Sequence, residues 1–227
     1  MHGVELGLRL AVARLRTGRP LLGVLLSVVV VVAFAWAERR AGVTSAADRA
    51  LSRVTFGAAL PLVACFVFHV SCSARRLEQA LDVLGTLGLN RRAAGLGVLG
   101  GSAVLCAALG AVLGSATVVV ARSFGDPALP EDVLATTWIG ALAGLAYAGW
   151  FALGSSFGRN GRARLWFLLG DWLVGAAGTG VLPAPRVYVA GLIGANSAPD
   201  LPLMLCAGLL LVLTLACSLL ALWRCAP

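Results

Sequence analysis

The sequence predicts an all-α, polytopic membrane protein, and three observations carry that prediction. Of its 227 residues 59% are hydrophobic and 12% are charged, and the mean hydropathy is +0.92. A soluble domain of this size could not hide so much apolar surface. The apolar residues are gathered into runs near the roughly 20 residues that a helix needs to cross a bilayer, and the charges fall between those runs. The whole chain, 1–227, is therefore expected to form a single transmembrane domain. All eighteen basic side chains are arginines and the net charge is +8. Because these arginines border apolar runs and are not interleaved with aromatics, they point to membrane lipid headgroups as partners and away from nucleic acid.

Residues 1–19 come first. Val4, Leu8, Val12 and Leu15 share one helical face and Arg9 and Arg16 another, the pattern of an amphipathic helix lying in a membrane interface. The spans follow at about 21–37, 54–72, 94–121, 136–157, 165–183 and 201–223. Ala35-Trp36-Ala37 has the small-x-small form of a cleavage site, but the first apolar run exceeds the roughly 7–15 residues of a signal sequence, so an uncleaved first helix is expected. Pro61 should kink the second span. Residues 38–53 form a mixed-charge loop, 122–135 an acidic one, and 184–200 a loop rich in Pro, Gly and Asn.

Arginine counting orients the bundle. With the N-terminus in the cytosol, twelve arginines (9, 14, 16, 19, 75, 76, 91, 92, 159, 162, 164, 224) are cytosolic and six are external, as the positive-inside rule requires. Both termini are then cytosolic. Trp36, Trp138, Trp166 and Trp223 fall near span ends, as an interfacial belt would. The pairs Gly97/Gly101, Gly110/Gly114, Gly140/Gly144 and Gly154/Gly158 repeat a small-x-x-x-small spacing in spans three and four. Such pairs let helices approach closely where lipid supplies no hydrophobic drive, so these two spans are expected to pack tightly.

Several chemistries are excluded. Without lysine the chain has no ordinary phosphate-binding P-loop and no Schiff base. Any ATP that drives it must be hydrolysed by another polypeptide, and no cofactor or metal site is expected. The six cysteines form no C-x-x-C pair and no cluster with zinc spacing, so they are read as small apolar side chains. Gly154-Ser155-Ser156-Phe157-Gly158 matches G-x-S-x-G, but His2 and His69 are the only histidines and no strand precedes the motif, so no catalytic residue is assigned. Asp171 is the one carboxylate well inside a span. An intramembrane acid is a functional candidate, and with His69 it supports an alternative, a proton-coupled secondary transporter. The structural reading is a hydrogen bond to a neighbouring helix or a pairing with Arg164 or Arg159. A further alternative is a non-transporting membrane scaffold or assembly factor.

The most informative polar stretch separates spans two and three. Leu77, Leu81 and Leu84 recur at helical spacing with Glu78 and Asp82 beside them, Gly85 and Gly88 end the helix, and Asn90-Arg91-Arg92 leads into span three. The run Leu81-Asp82-x-Leu84-x-x-x-Gly88-Leu89-Asn90-Arg91-Arg92-x-x-Gly95 resembles the cytosolic loop of ABC exporter permeases of the six-span drug, polysaccharide and lipid type. The basic leader is similar to their elbow helix. The lipopolysaccharide-export permeases are also similar, but 122–135 leaves no room for their periplasmic domain. Two departures stand out: Gly88 replaces the family's usual proline, and Ser73-Ala74-Arg75-Arg76 replaces its acidic run.

The resemblance implies a bacterial inner-membrane exporter subunit in which 77–88 is a coupling helix. Leu77, Leu81 and Leu84 would bury against a separate ATP-binding subunit that holds ATP and Mg, with Glu78 and Asp82 on its basic rim and Gly88 and Arg91 completing the motif. It also implies a second permease copy or a related permease, and an amphipathic or lipid-like cargo.

Overall fold

The computed structural model describes residues 2–16, 18–42, 45–73, 75–86, 88, 90–122, 128–176, 184–195 and 201–225, and all regular structure among them is helical. Helix α1 (His2–Leu15) is followed by α2 (Gly18–Arg40). A continuous helical rod, Ala46–Ser71, comprises α3 (Ala46–Ala50), a π-helical segment (Leu51–Ala59) and α4 (Leu60–Ser71). Then come α5 (Leu77–Thr86), α6 (Arg91–Ala121), α7 (Leu129–Ser155), α8 (Ala163–Ala176), α9 (Pro185–Leu192) and α10 (Leu203–Arg224). Five helices are long and apolar enough to cross a membrane: Leu22–Arg40, Ala46–Ser71, Arg91–Ala121, Leu129–Ser155 and Leu203–Arg224. The chain is a multi-pass membrane protein.

The expected fifth span, 165–183, is not one uninterrupted helix among the described residues. Helix α8 has 14 residues, about 21 Å at 1.5 Å per residue, against a hydrocarbon core of about 30 Å. Residues 177–183 lie outside the described residues. Helix α9 occupies part of the stretch assigned to an external loop; Pro185 stands in its first turn and Val187, Tyr188, Val189 and Leu192 are buried. Proline suits that first turn, where its missing N–H has no helical partner. The helical spacing of those four apolar residues lies within a Pro- and Gly-rich stretch, which hid the helix from composition.

The mixed-charge loop at 38–53 is also mostly helical. Helix α2 continues to Arg40 and the next helix starts at Ala46, where Ala46, Ala47 and Ala50 are buried while Asp48, Arg49 and Arg53 face outward. The rod widens before Pro61: the Leu60 N–H reaches back five residues to the Thr55 carbonyl. A proline cannot donate to the carbonyl four residues before it, and a π segment is one way a helix accommodates such an interruption.

Glycine decides how the long helices meet. A Cβ on Gly110 would lie 2.1 Å from the Gly140 carbonyl oxygen, one on Gly140 2.2 Å from that of Gly110, and one on Gly144 2.2 Å from that of Cys106. Helices α6 and α7 thus touch backbone to backbone. Gly114, the second member of its pair, also faces α7. A Cβ there would lie 2.9 Å from the Thr136 carbonyl oxygen of α7 and 3.3 Å from the Phe56 ring of the π segment. Gly114 therefore makes room for the rod as well as for α7, and the backbones stand farther apart there than at Gly110. The Gly154/Gly158 pair does not join α6 to α7: Gly154 faces Arg164 and Phe167 of α8, and Gly158 lies beyond the end of α7 against Ala163.

Hydroxyl pairs join the rod, α6 and α7: Thr55 with Thr117 at 2.7 Å, Ser71 with Ser102 at 3.1 Å, and Ser115 with Thr137 at 2.7 Å. The Gly97/Gly101 pair faces α1 and not α7. A Cβ on Gly97 would meet the Val4 carbonyl at 2.1 Å, and Gly7 abuts the Ala94 carbonyl in return. Gly3, Gly7 and Ala11 give α1 a small-residue stripe of its own, so α1 is packed onto α6 as well as amphipathic. Gly3 lies against Ala93, and Leu222 near the end of α10 lies over Gly95. Gly3 and Leu222 therefore sit at the end of the bundle where α6 begins.

Candidate functional site

Helix α5 lies at that same end. Leu77 and Leu81 are fully buried and belong to the main core. A Cβ on Gly95 of α6 would meet Leu222 at 3.1 Å and Leu81 at 3.3 Å, which places Leu81 between α6 and α10. The expectation that Leu77 and Leu81 bury against another subunit is therefore corrected, since their own chain covers them. An apolar stripe at helical spacing reads the same in sequence whichever surface it meets. The Leu84 side chain and Leu89 lie outside the described residues.

The acids differ from one another. Asp82 pairs with Arg91 at 3.2 Å, and the Arg91 side chain lies across Gly85. Gly85 stays inside the helix, which ends at Thr86, two residues short of the expected 88. Gly88 follows at φ +73°, a left-handed turn that glycine adopts without strain. Asn90 then caps α6, its side chain accepting from the N–H groups of Arg92 (2.9 Å) and Ala93 (3.4 Å). Glu78, Gln79 and Arg92 remain exposed on the outer side of this handle.

Around it, arginines bind carbonyls. Arg164, 2% exposed, donates to the Gly161 carbonyl at 2.8 Å, Phe68 at 3.1 Å, and Arg75 and Asn160 at 3.2 Å. Arg14 donates to the Ser71 carbonyl and Arg76 to that of Gly158. Two guanidiniums thus meet the carboxyl-terminal turns of α4, where a helix leaves carbonyls without partners and the dipole favours a cation. Burial lowers the Arg14 pKa from its ordinary value; Cys72 opposes the shift and the nearby Arg75 charge adds to it.

No family model matches this chain, and no curated protein matches it in sequence. Its polar centre must be understood from geometry.

Asp171 is fully buried. One carboxylate oxygen accepts from the Tyr147 hydroxyl at 3.0 Å and the other from the Arg186 backbone N–H at 3.1 Å. The structure thus assigns it a partner on the neighbouring helix α7 and another at the start of α9, and neither Arg164 nor Arg159 bonds to it among the described contacts. The Arg186 side chain crosses Gly175 and helps line a cavity of about 130 Å³ with Ser52, Phe56 and Gly57 of the π segment. His69 is exposed near the end of α4, and no described bond joins it to Asp171. Tyr147 and Arg186 escaped the sequence analysis. The signal available was that a lone intramembrane carboxylate needs donors, but spacing could not name them.

The G-x-S-x-G serine, Ser156, donates to the Leu153 carbonyl at 2.7 Å, so its hydroxyl serves the end of α7. All six cysteines are buried and free. Trp36, Trp138, Trp166 and Trp223 are all exposed. Among the described residues no group of three His, Cys, Asp or Glu could hold a metal.

Proposed function

We propose that this chain is the permease subunit of an ATP-driven exporter of the ABC type, moving an amphipathic or lipid-like substrate with ATP and Mg bound by a separate subunit. One observation carries the reading: α5 is a short helix packed on α6, with Leu77 and Leu81 buried in the chain's own core and Glu78 and Gln79 left on its outer face. A helix held that way moves with the spans it is bolted to, so a push on its polar face reaches α6 directly. The docking face is thus polar, formed by Glu78 and Gln79 with Arg92 beside them.

In this reading α8 and α9 together make the fifth of six passes. An even number of passes agrees with the start of α1 and the end of α10 lying at the end of the bundle where α6 begins, and the arginine distribution makes that end cytosolic. The membrane is then the inner membrane of a bacterium, and a second copy or related permease completes the path. The proton-coupled alternative has less support, because the Asp171 carboxylate already accepts two hydrogen bonds and His69 stands apart from it.

The test is co-purification with a candidate ATP-binding subunit, comparing the native chain with Glu78→Arg and Gln79→Arg. Both sites are exposed, so folding should change by no more than about 0.5 kcal/mol, while complex formation and ATPase stimulation should fall. Undiminished stimulation by a well-folded double variant would sink the proposal.

A further inference from the structure

A second cavity lies away from both polar regions. It is a groove of about 960 Å³ walled by α1, α2, α4 and α6, with Val4, Leu8, Val24, Phe66, Val104 and Leu109 among its lining residues. Every described lining residue is apolar or glycine except Arg16. The groove exists because α6 presents glycine there: a Cβ on Gly100 would meet nothing within 4 Å, and Gly97 and Gly101 bring α1 close enough to form a wall. From Leu96 to Leu109 it follows α6 for on the order of 20 Å at 1.5 Å per residue, a little more than the roughly 15 Å of hydrocarbon in one leaflet.

Two features define the occupant. A concave apolar surface in a bilayer is filled by something apolar and narrow. Arg16, at the end of α1, is exposed and has no acidic partner among the described residues, whereas Arg9 on the same helix is paired with Glu5 at 2.6 Å. A free guanidinium on the rim of an apolar groove complements an anionic headgroup with an alkyl tail.

We propose that the groove binds one anionic phospholipid, an acyl chain lying along α6 and the phosphate against Arg16. The lipid would stiffen the junction between α1 and the bundle, and it does so whether or not the chain is an exporter subunit.

The test uses the full chain, purified in neutral detergent, stripped of lipid and titrated with phosphatidylglycerol or phosphatidylcholine, with bound lipid counted by native mass spectrometry. The native chain should retain one phosphatidylglycerol in preference to phosphatidylcholine. Gly100→Leu places a side chain in the open groove and should weaken that binding about tenfold. Arg16→Gln should lower phosphatidylglycerol affinity about fivefold and leave phosphatidylcholine unchanged. Met204→Phe, on the exposed side of α10, reports general lipid coating and should change nothing. Binding that survives Gly100→Leu, or falls equally in Met204→Phe, overturns the proposal. So does a native dimer that Gly100→Leu converts to monomer, because the groove would then receive a second copy of the chain.

Discussion

The contact between α6 and α7 makes a sharp prediction through Gly110→Ala. The new methyl carbon would lie 2.1 Å from the Gly140 carbonyl oxygen, where ordinary contact begins at 3.4 Å. The two backbones must therefore part by about 1.3 Å, the difference of those distances, since neither atom belongs to a flexible side chain. A gap of 0.5–1 Å already forfeits a quarter to a half of a dispersion contact, and overpacking of this kind costs about 1–3 kcal/mol. Alanine also favours helix over glycine by about 0.5–1 kcal/mol, which would mask part of the cost.

Gly100→Ala removes that ambiguity. It is the same substitution in the same helix with open space in front of it. Stability can be followed by heating the protein in detergent with a thiol-reactive dye, because all six cysteines are buried until the bundle opens. Gly110→Ala should melt below Gly100→Ala by several degrees, at about 2–4 °C per kcal/mol for a chain of this size. Equal melting of the two variants would refute the claim that glycine sets the distance between these helices.

Two further outcomes follow from the buried polar groups. Asp171→Leu strands the Tyr147 hydroxyl and the Arg186 N–H at about 1–3 kcal/mol each, whereas Asp171→Asn keeps a carbonyl oxygen to accept from the Arg186 N–H and an amide that can donate to the Tyr147 oxygen, and should stay within about 1 kcal/mol of the native chain. The same dye assay separates them, and an Asn variant as unstable as Leu would mean that charge, not hydrogen bonding, holds this node. Arg164→Met should cost about 3 kcal/mol or more, because four carbonyls lose one planar donor group, and Arg164→Lys should restore only part of it; full rescue by lysine in the melting curve would contradict the fork geometry.

How much of this was legible in the sequence depended on whether a signal was local. The apolar runs of α2, α6, α7 and α10 announce themselves because hydropathy involves neighbouring residues only. The helix at Leu77 was equally readable, but the surface covering Leu77 and Leu81 was not, since a partner subunit and α6 offer the same apolar environment. Gly97 and Gly101 carried the right message, close approach, with the wrong recipient, whereas Gly110, Gly114, Gly140 and Gly144 meet the helix expected. The spacing says that a helix comes near and not which one. Tyr147 and Arg186 stand 24 and 15 residues from Asp171, beyond the reach of any periodicity.

Composition determined that this is a helical membrane protein, and five of its six expected spans fall within helices long and apolar enough to cross a bilayer, because transfer into a bilayer is a property of a segment by itself. Which helices touch, where α8 ends and α9 begins, and what covers α5 were decided only in the tertiary structure. Those choices turn on distances of an ångström between groups far apart in the chain, and no single segment contains them.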